Sequence, residues 1–248
     1  MLRSMDQILG YSIRATDGEV GSAADFYFDD REWTVRYLIV STGFFLPGRR
    51  ILISPEEIEG ADWRRKHLEL SLTCEKIRNS PELPSELPVS RKDEEALGHY
   101  YGWVPYWGGT FGAMGAGHMV TAAPGTATAT KTPDEPPREP DLRSVRELLG
   151  YSILATDGLI GHVEDLIADT DTWAIRYLVV DTRNWLPGRK VLIATGWATH
   201  VDWSERVLHL DLTQQQIKNS PPFDPSTPIN HDYEARLYDY YGRPCYWK

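Results

Sequence analysis

Leu9-Gly10-Tyr11-Ser12-Ile13-Arg14-Ala15-Thr16-Asp17-Gly18 returns 140 positions later as Leu149-Gly150-Tyr151-Ser152-Ile153-Leu154-Ala155-Thr156-Asp157-Gly158. The offset never drifts. Leu46-Pro47-Gly48-Arg49 recurs as Leu186-Pro187-Gly188-Arg189, Asn79-Ser80-Pro81 as Asn219-Ser220-Pro221, and Tyr106-Trp107 as Tyr246-Trp247. About 45 of roughly 108 aligned pairs are identical, without a gap. A repeat this long makes two whole domains rather than a solenoid of short units. It predicts domains over residues 1–108 and 141–248, joined by a linker over 109–140. Residues kept in both copies serve what both copies need, chiefly folding, and residues that differ are free to specialise.

Within each copy the pattern is that of strands. Tyr11–Thr16 alternates, Asp17-Gly18 predicts a type I′ hairpin with positive φ at both central residues, and a strand resumes over Val20–Phe28. Val35–Thr42 is apolar and β-branched, Arg50–Ser54 follows the Leu-Pro-Gly loop, and Leu68, Leu70 and Leu72 share one face of a final strand. Five or six short strands per copy predict a mainly β fold, either a small antiparallel barrel or a sandwich. A barrel has the advantage of leaving no exposed edge. Short C-terminal helices follow, capped by Thr73 and Ser90 in one copy and by Thr213 and Asn230 in the other, and stopped by Gly102 and Gly242. The linker is rich in Gly, Ala, Thr and Pro, a composition that cannot bury enough to order itself. Its reach of about 30 Å dictates no geometry between the copies.

Charge and residue type exclude several functions. The formal net charge of −10 repels phosphate, which argues against a nucleic-acid partner. Cys74 and Cys245 stand one per copy at non-equivalent positions, so no disulfide can staple a single copy, and unpaired thiols suit a reducing compartment. No stretch reads as a leader peptide or approaches the roughly 18 apolar residues of a membrane span, so a soluble, cytoplasmic protein is expected. None of the seven histidines has a histidine at i+4 or at its repeat equivalent, and no CxxC or HExxH occurs. Acidic runs such as Asp29-Asp30 and Asp93-Glu94-Glu95 read as solvated turns and helix starts. The reading is therefore of a non-enzyme with no metal, no cofactor and no catalytic residue.

Aromatic residues are the remaining unusual feature. Tyr106-Trp107 and Tyr246-Trp247 form equivalent aromatic tails that either fold over a barrel opening or anchor an interface. Phe44, Phe45 and Trp185 stand at loop tips that differ between the copies. Trp197 aligns with Glu57, which makes it a candidate for specialised contact. These eight residues are the candidate interaction sites. Trp33, Trp63, Trp173 and Trp203 recur in both copies and are expected in packing.

The run Leu149-Gly150-Tyr151-Ser152-Ile153, with Asp157-Gly158, Gly161, Asp165, Asp169 and Arg176-Tyr177-Leu178-Val179-Val180, resembles the PRC-barrel family, and residues 9–40 match the pattern equally well. That family takes its name from the cytoplasmic domain of the photosynthetic reaction-centre H subunit and includes the C-terminal domain of the ribosome-maturation factor RimM. The resemblance spans about 65 residues of each copy. It implies a small, highly bent antiparallel β-barrel and a module for contact with an unidentified protein partner, and it carries no catalytic residue. The expected function is a non-enzymatic interaction or scaffold module in the bacterial cytoplasm. The alternatives are an accessory of a photosynthetic or electron-transfer complex and a ribosome-assembly adaptor. Ungapped duplication further predicts that the copies pack as a pseudo-two-fold pair.

Overall fold

The computed structural model describes residues 1–42, 49–81, 89–106, 142–182 and 189–247. The first copy contains β1 (Leu2–Ser4), α1 (Met5–Ile8), β2 (Ser12–Ala15), β3 (Gly18–Asp29), β4 (Thr34–Ser41), β5 (Arg50–Ile53), β6 (Ile58–Asp62), β7 (His67–Leu70), α2 (Cys74–Arg78) and α3 (Arg91–Tyr101). The second contains β8 (Leu142–Ser144), α4 (Val145–Leu148), β9 (Ser152–Ala155), β10 (Gly158–Asp169), β11 (Ile175–Asp181), β12 (Lys190–Ala194), β13 (Ala198–Asp202), β14 (Val207–Leu210), α5 (Gln214–Asn219), β15 (Pro222–Phe223) and α6 (His231–Tyr241). The fold is mainly β, as the alternation predicts.

One sheet runs β5-β4-β3-β2-β7-β6 and the other β13-β14-β9-β10-β11-β12-β15. Neither is wholly antiparallel: β2 pairs with β7, and β9 with β14, in parallel. A parallel pair needs a long crossover, and the intervening strands β3 to β6 supply it. The central strands β3 and β10 each carry two register shifts against their following neighbours, at Ala23/Asp25 and Tyr27/Phe28 and at Val163/Asp165 and Ile167/Ala168. Such bulges bend a strand and deepen its twist. Gly21 and Gly161 permit the tightest approach: a Cβ there would lie 1.9 Å from the Ser41 carbonyl oxygen and 2.1 Å from that of Asp181.

The first hairpin departs from the expected type I′ turn. Ala15 pairs with Gly18, so the central residues are Thr16 and Asp17, and neither has positive φ. Asp17 has another task, since its carboxylate accepts the Cys74 N–H at 2.7 Å. Asp157 does the same for Gln214 N–H at 2.7 Å. The recurring aspartate ties the hairpin to the start of α2 or α5, a tertiary bond that short-range turn chemistry does not reveal.

Each sheet closes over an apolar layer. Ile13, Leu38, Ile53 and Leu68, and their equivalents Ile153, Leu178, Ile193 and Leu208, have no exposed surface. Burying each contributes about 1.5–3 kcal/mol.

The N-terminal arm of each copy lies on the other copy. β1 pairs with β10 (Leu2↔Asp169, Ser4↔Ile167), and β8 pairs with β3 (Leu142↔Asp29, Ser144↔Tyr27). The contacts repeat with the sequence offset. Val35 N–H donates to Trp173 O at 2.9 Å, and Ile175 N–H donates to Trp33 O at 2.6 Å. Ser144 Oγ donates to Asp25 at 2.5 Å while capping α4 by accepting Glu147 N–H. Ser4 Oγ likewise donates to Asp165 and caps α1 by accepting Gln7 N–H. Backbone N–H groups of Arg146 and Asp6 complete the two carboxylate sites at 3.2 and 3.0 Å. The recurring tryptophans pack at the same junction, with Trp173 stacked on Phe26 at 5.8 Å and Trp203 against Phe28 at 6.4 Å.

Burial raises the pKa of Asp25 and of Asp165 above the ordinary carboxylate value, against the opposing effect of the hydrogen bonds they accept. A carboxyl whose folded pKa is raised stabilises the fold fully below its unfolded pKa of about 3.9, and loses that contribution as pH rises through the folded value. The urea midpoint of the native chain is therefore expected to fall, relative to an Asp25→Asn/Asp165→Asn variant, as pH rises from about 4 to 7. A difference that stays constant over that range would show that neither carboxyl titrates there.

Candidate functional site

The last helix of each copy brings one buried glutamate against the sheet. Ser90 and Asp93 form a reciprocal capping box that fixes the start of α3, and Asn230 caps α6. Helical spacing then sets Glu94, Leu97 and Tyr101 on one buried face, with Glu234, Leu237 and Tyr241 as their equivalents. Gly102 and Gly242 adopt the left-handed conformation and end the helices, so the chain turns back toward the sheet.

Glu94 is only 3% exposed. It accepts the Tyr37 hydroxyl at 3.0 Å and Arg91 Nη1 at 3.2 Å, and the same Arg91 nitrogen donates to Tyr106 Oη at 3.1 Å. In the second copy, Glu234 Oε1 accepts both Tyr177 at 2.6 Å and Tyr246 at 2.9 Å. Arg36 lies over the Tyr106 ring at 4.1 Å, and Arg176 over Tyr246 at 4.3 Å. Burial pushes the Glu94 carboxyl upward, with the Arg91 charge opposing. Burial and the nearby glutamate hold the Tyr37 and Tyr177 phenols well above their ordinary value, so both remain donors. Each arrangement clamps an aromatic tail onto its sheet through a desolvated carboxylate.

The eight interaction candidates fall in different places. Phe44, Phe45, Trp107 and Trp185 lie outside the described residues. Tyr106 is half-buried and Trp247 packs partly against the core, while Tyr246 is 41% exposed. Trp197 is 6% exposed, with its ring 4.5 Å from Tyr241 and 5.4 Å from Tyr238.

Trp197 has a counterpart that direct alignment hides. In the first copy Trp103 stacks on Tyr101 at 4.2 Å and donates its indole N–H to Glu57 at 2.6 Å. Glu57 aligns with Trp197, and Trp103 with Arg243. The two copies thus lay an indole on the same tyrosine from different positions in the chain. No single-residue comparison finds this; only a search for compensating pairs would.

The copies also differ at Gly98, which aligns with Tyr238. A cleft of about 460 Å³ opens beside Gly98, lined by Arg36, Tyr37, Glu94, Trp103 and Tyr106, and bordered by the turn Thr170–Trp173 of the other copy. In the second copy the Tyr238 ring, 5% exposed, stands among Tyr177, Trp197 and Tyr246 at 6.5, 5.4 and 6.2 Å.

Two further observations bear on chemistry. β13 and β14 bring His200 and His209 to 5.6 Å across the ladder, a pairing outside helical spacing. Among the described residues no group of three His, Cys, Asp or Glu side chains is placed to hold a metal ion.

Removing a glutamate leaves buried phenol donors without an acceptor, which costs about 1–3 kcal/mol per buried group. Glu234→Leu is expected to lower stability by about 2–3 kcal/mol in urea and to red-shift tryptophan emission as the Trp247 tail detaches. A loss below about 0.5 kcal/mol with unchanged emission would show that the clamp does not hold the tail.

Comparison of the chain with curated proteins gives no match. The family model of the PRC-barrel domain matches residues 140–217, from the second arm through β14 into α5.

Proposed function

We propose that this chain is a non-enzymatic interaction or scaffold module, built from two PRC-barrel domains fused into one pseudo-two-fold body and working in the bacterial cytoplasm. The matched domain in the second copy supports the module reading, and the identity between the copies extends it to the first. The observation that carries the proposal is the reciprocal arm exchange, in which β1 lies on β10 and β8 on β3. Each copy completes the other's sheet, so the pair presents one fixed surface to a partner rather than two tethered lobes. The buried acids support the same reading. Asp25, Asp165, Glu94 and Glu234 are all engaged by donors from within the fold, which leaves them structural. Among the described residues no helix is long and apolar enough to cross a membrane.

The test is affinity capture with mass spectrometry on the intact chain and on an Asp25→Arg/Asp165→Arg variant. Arginine at either position sets a cation where the arm serine and a backbone N–H now donate, and detaches the arms. A partner is expected to be retained by the intact chain and lost from the variant, with circular dichroism confirming that the variant keeps its strands. An intact chain that retains nothing above background would overturn the reading.

A further inference from the structure

The two copies offer an internal control, because the same surroundings exist once filled and once open. In the second copy a tyrosine ring fills the space between Tyr177, Trp197 and Tyr246. Among the described residues the first copy keeps three of the four rings around that space; the fourth, Trp247 at 5.3 Å from Tyr238, aligns with Trp107, which lies outside the described residues. Tyr37 and Tyr106 are the direct equivalents of Tyr177 and Tyr246, and Trp103 takes the part of Trp197 by stacking on the equivalent tyrosine. At the place of the occupant, Gly98 stands where Tyr238 supplies the ring in the second copy. The cleft of about 460 Å³ is the space so vacated, enlarged by the groove against Thr170–Trp173. That volume falls within the range of about 300–1,000 Å³ typical of binding sites.

We infer that the cleft beside Gly98 receives an aromatic side chain, a tyrosine or tryptophan, from a peptide segment of the partner protein. Tyr238 shows the chemistry of the occupant: a planar ring that meets Trp103 and the two tyrosines at their edges and faces, arrangements worth about 0.5–1.5 kcal/mol per ring pair beyond burial. The charge around the cleft selects the flanks of that peptide. Glu56 and Asp171 are exposed at the mouth, while Glu94 in the wall is already paired with Arg91. Arg36, the basic side chain among the described lining residues, is already paired with Asp29 and Glu32, and the amine of Met1 lies 2.7 Å from Asp171. A lysine or arginine beside the anchoring aromatic meets this acidic rim favourably. The inference rests on the interaction-module reading and names the recognition site for it.

The experiment uses the full chain and two probes: p-cresol, which is the tyrosine side chain as a free molecule, and the tripeptide acetyl-Lys-Tyr-Lys-amide. The indole N–H of Trp103, bonded to Glu57, is the nuclear magnetic resonance reporter. Both probes are expected to shift it, the tripeptide binding at least about tenfold more tightly at low salt and losing that margin as salt is raised. Gly98→Tyr is expected to plug the cleft and abolish both shifts. A Cβ at Gly98 would lie 3.2 Å from Trp103 O, so the backbone must give slightly. Tyr238→Gly covers the case in which that variant does not fold. It opens the twin site, so the p-cresol stoichiometry rises from one to two and p-cresol raises its melting temperature. Absence of saturable binding, or shifts that survive Gly98→Tyr, would overturn the site. Equal affinity for the two probes would assign the cleft to free aromatic molecules and overturn the peptide. None of these outcomes bears on whether the intact chain captures a partner, so the two readings fail separately.

Discussion

The bond on which the rest of this architecture depends is a serine hydroxyl donated to a buried aspartate of the other copy. Ser144 reaches Asp25 and Ser4 reaches Asp165, and each serine also caps the helix of its own arm. One side chain therefore fixes the helix start, the register of the arm strand and the attachment of one copy to the other. The aspartates bear a burial cost that the arm donors offset together with the N–H of the next residue in their own strand, Phe26 at 2.8 Å and Leu166 at 2.7 Å. Docked arms supply each carboxyl with a hydroxyl and a backbone N–H; undocked arms leave it with the N–H of its own strand and with water. Docking of the arms and the seating of one copy on the other are thus coupled, while each sheet keeps its own apolar layer.

Much of this was legible because the sequence is written twice. The 140-residue offset separates framework from variation, and the strands, the caps at Thr73, Ser90, Thr213 and Asn230, and the glycine helix stops all stand where local chemistry puts them. What local reading missed was tertiary. Asp17-Gly18 carries a strong hairpin signature, yet Asp17 bonds to the start of α2, and the turn centres one residue earlier. Asp25 and Asp165 recur in the sequence, but nothing local says that their donors come from 119 and 161 residues away. The parallel pairs β2–β7 and β9–β14 are equally non-local.

The candidate site was less legible than the fold, for a related reason. An unpaired tryptophan invites a functional reading, and Trp197 is unpaired only position by position. Trp103 performs its packing role from the far end of the following helix. Aromatic area is interchangeable in a way that polar geometry is not: any indole that reaches the tyrosine face fills it, so the core conserves the contact and not the position. Glu94 sat inside an acidic run that reads as a solvated helix start, and burial alone distinguishes it. The informative difference proved to be an absence of side chain, Gly98 against Tyr238, which composition and motif searches pass over.

Fusion explains how such a difference can persist. A homodimer of a single copy carries two identical clefts, so a residue that plugs one plugs both, and a residue that opens one opens both. Once the copies are joined in one chain, each can change alone while the arm exchange holds the pair in register. Tyr238 stabilises its half by filling space among four rings, and Gly98 forgoes that stabilisation in the other. The contribution given up is of the order of the 3–5 kcal/mol associated with large aromatic truncations. A domain of marginal stability bears such a loss more easily when the reciprocal arm and the buried carboxylate of its twin already hold it closed. One copy fills the space with Tyr238, and the other, with Gly98, leaves the cleft beside it.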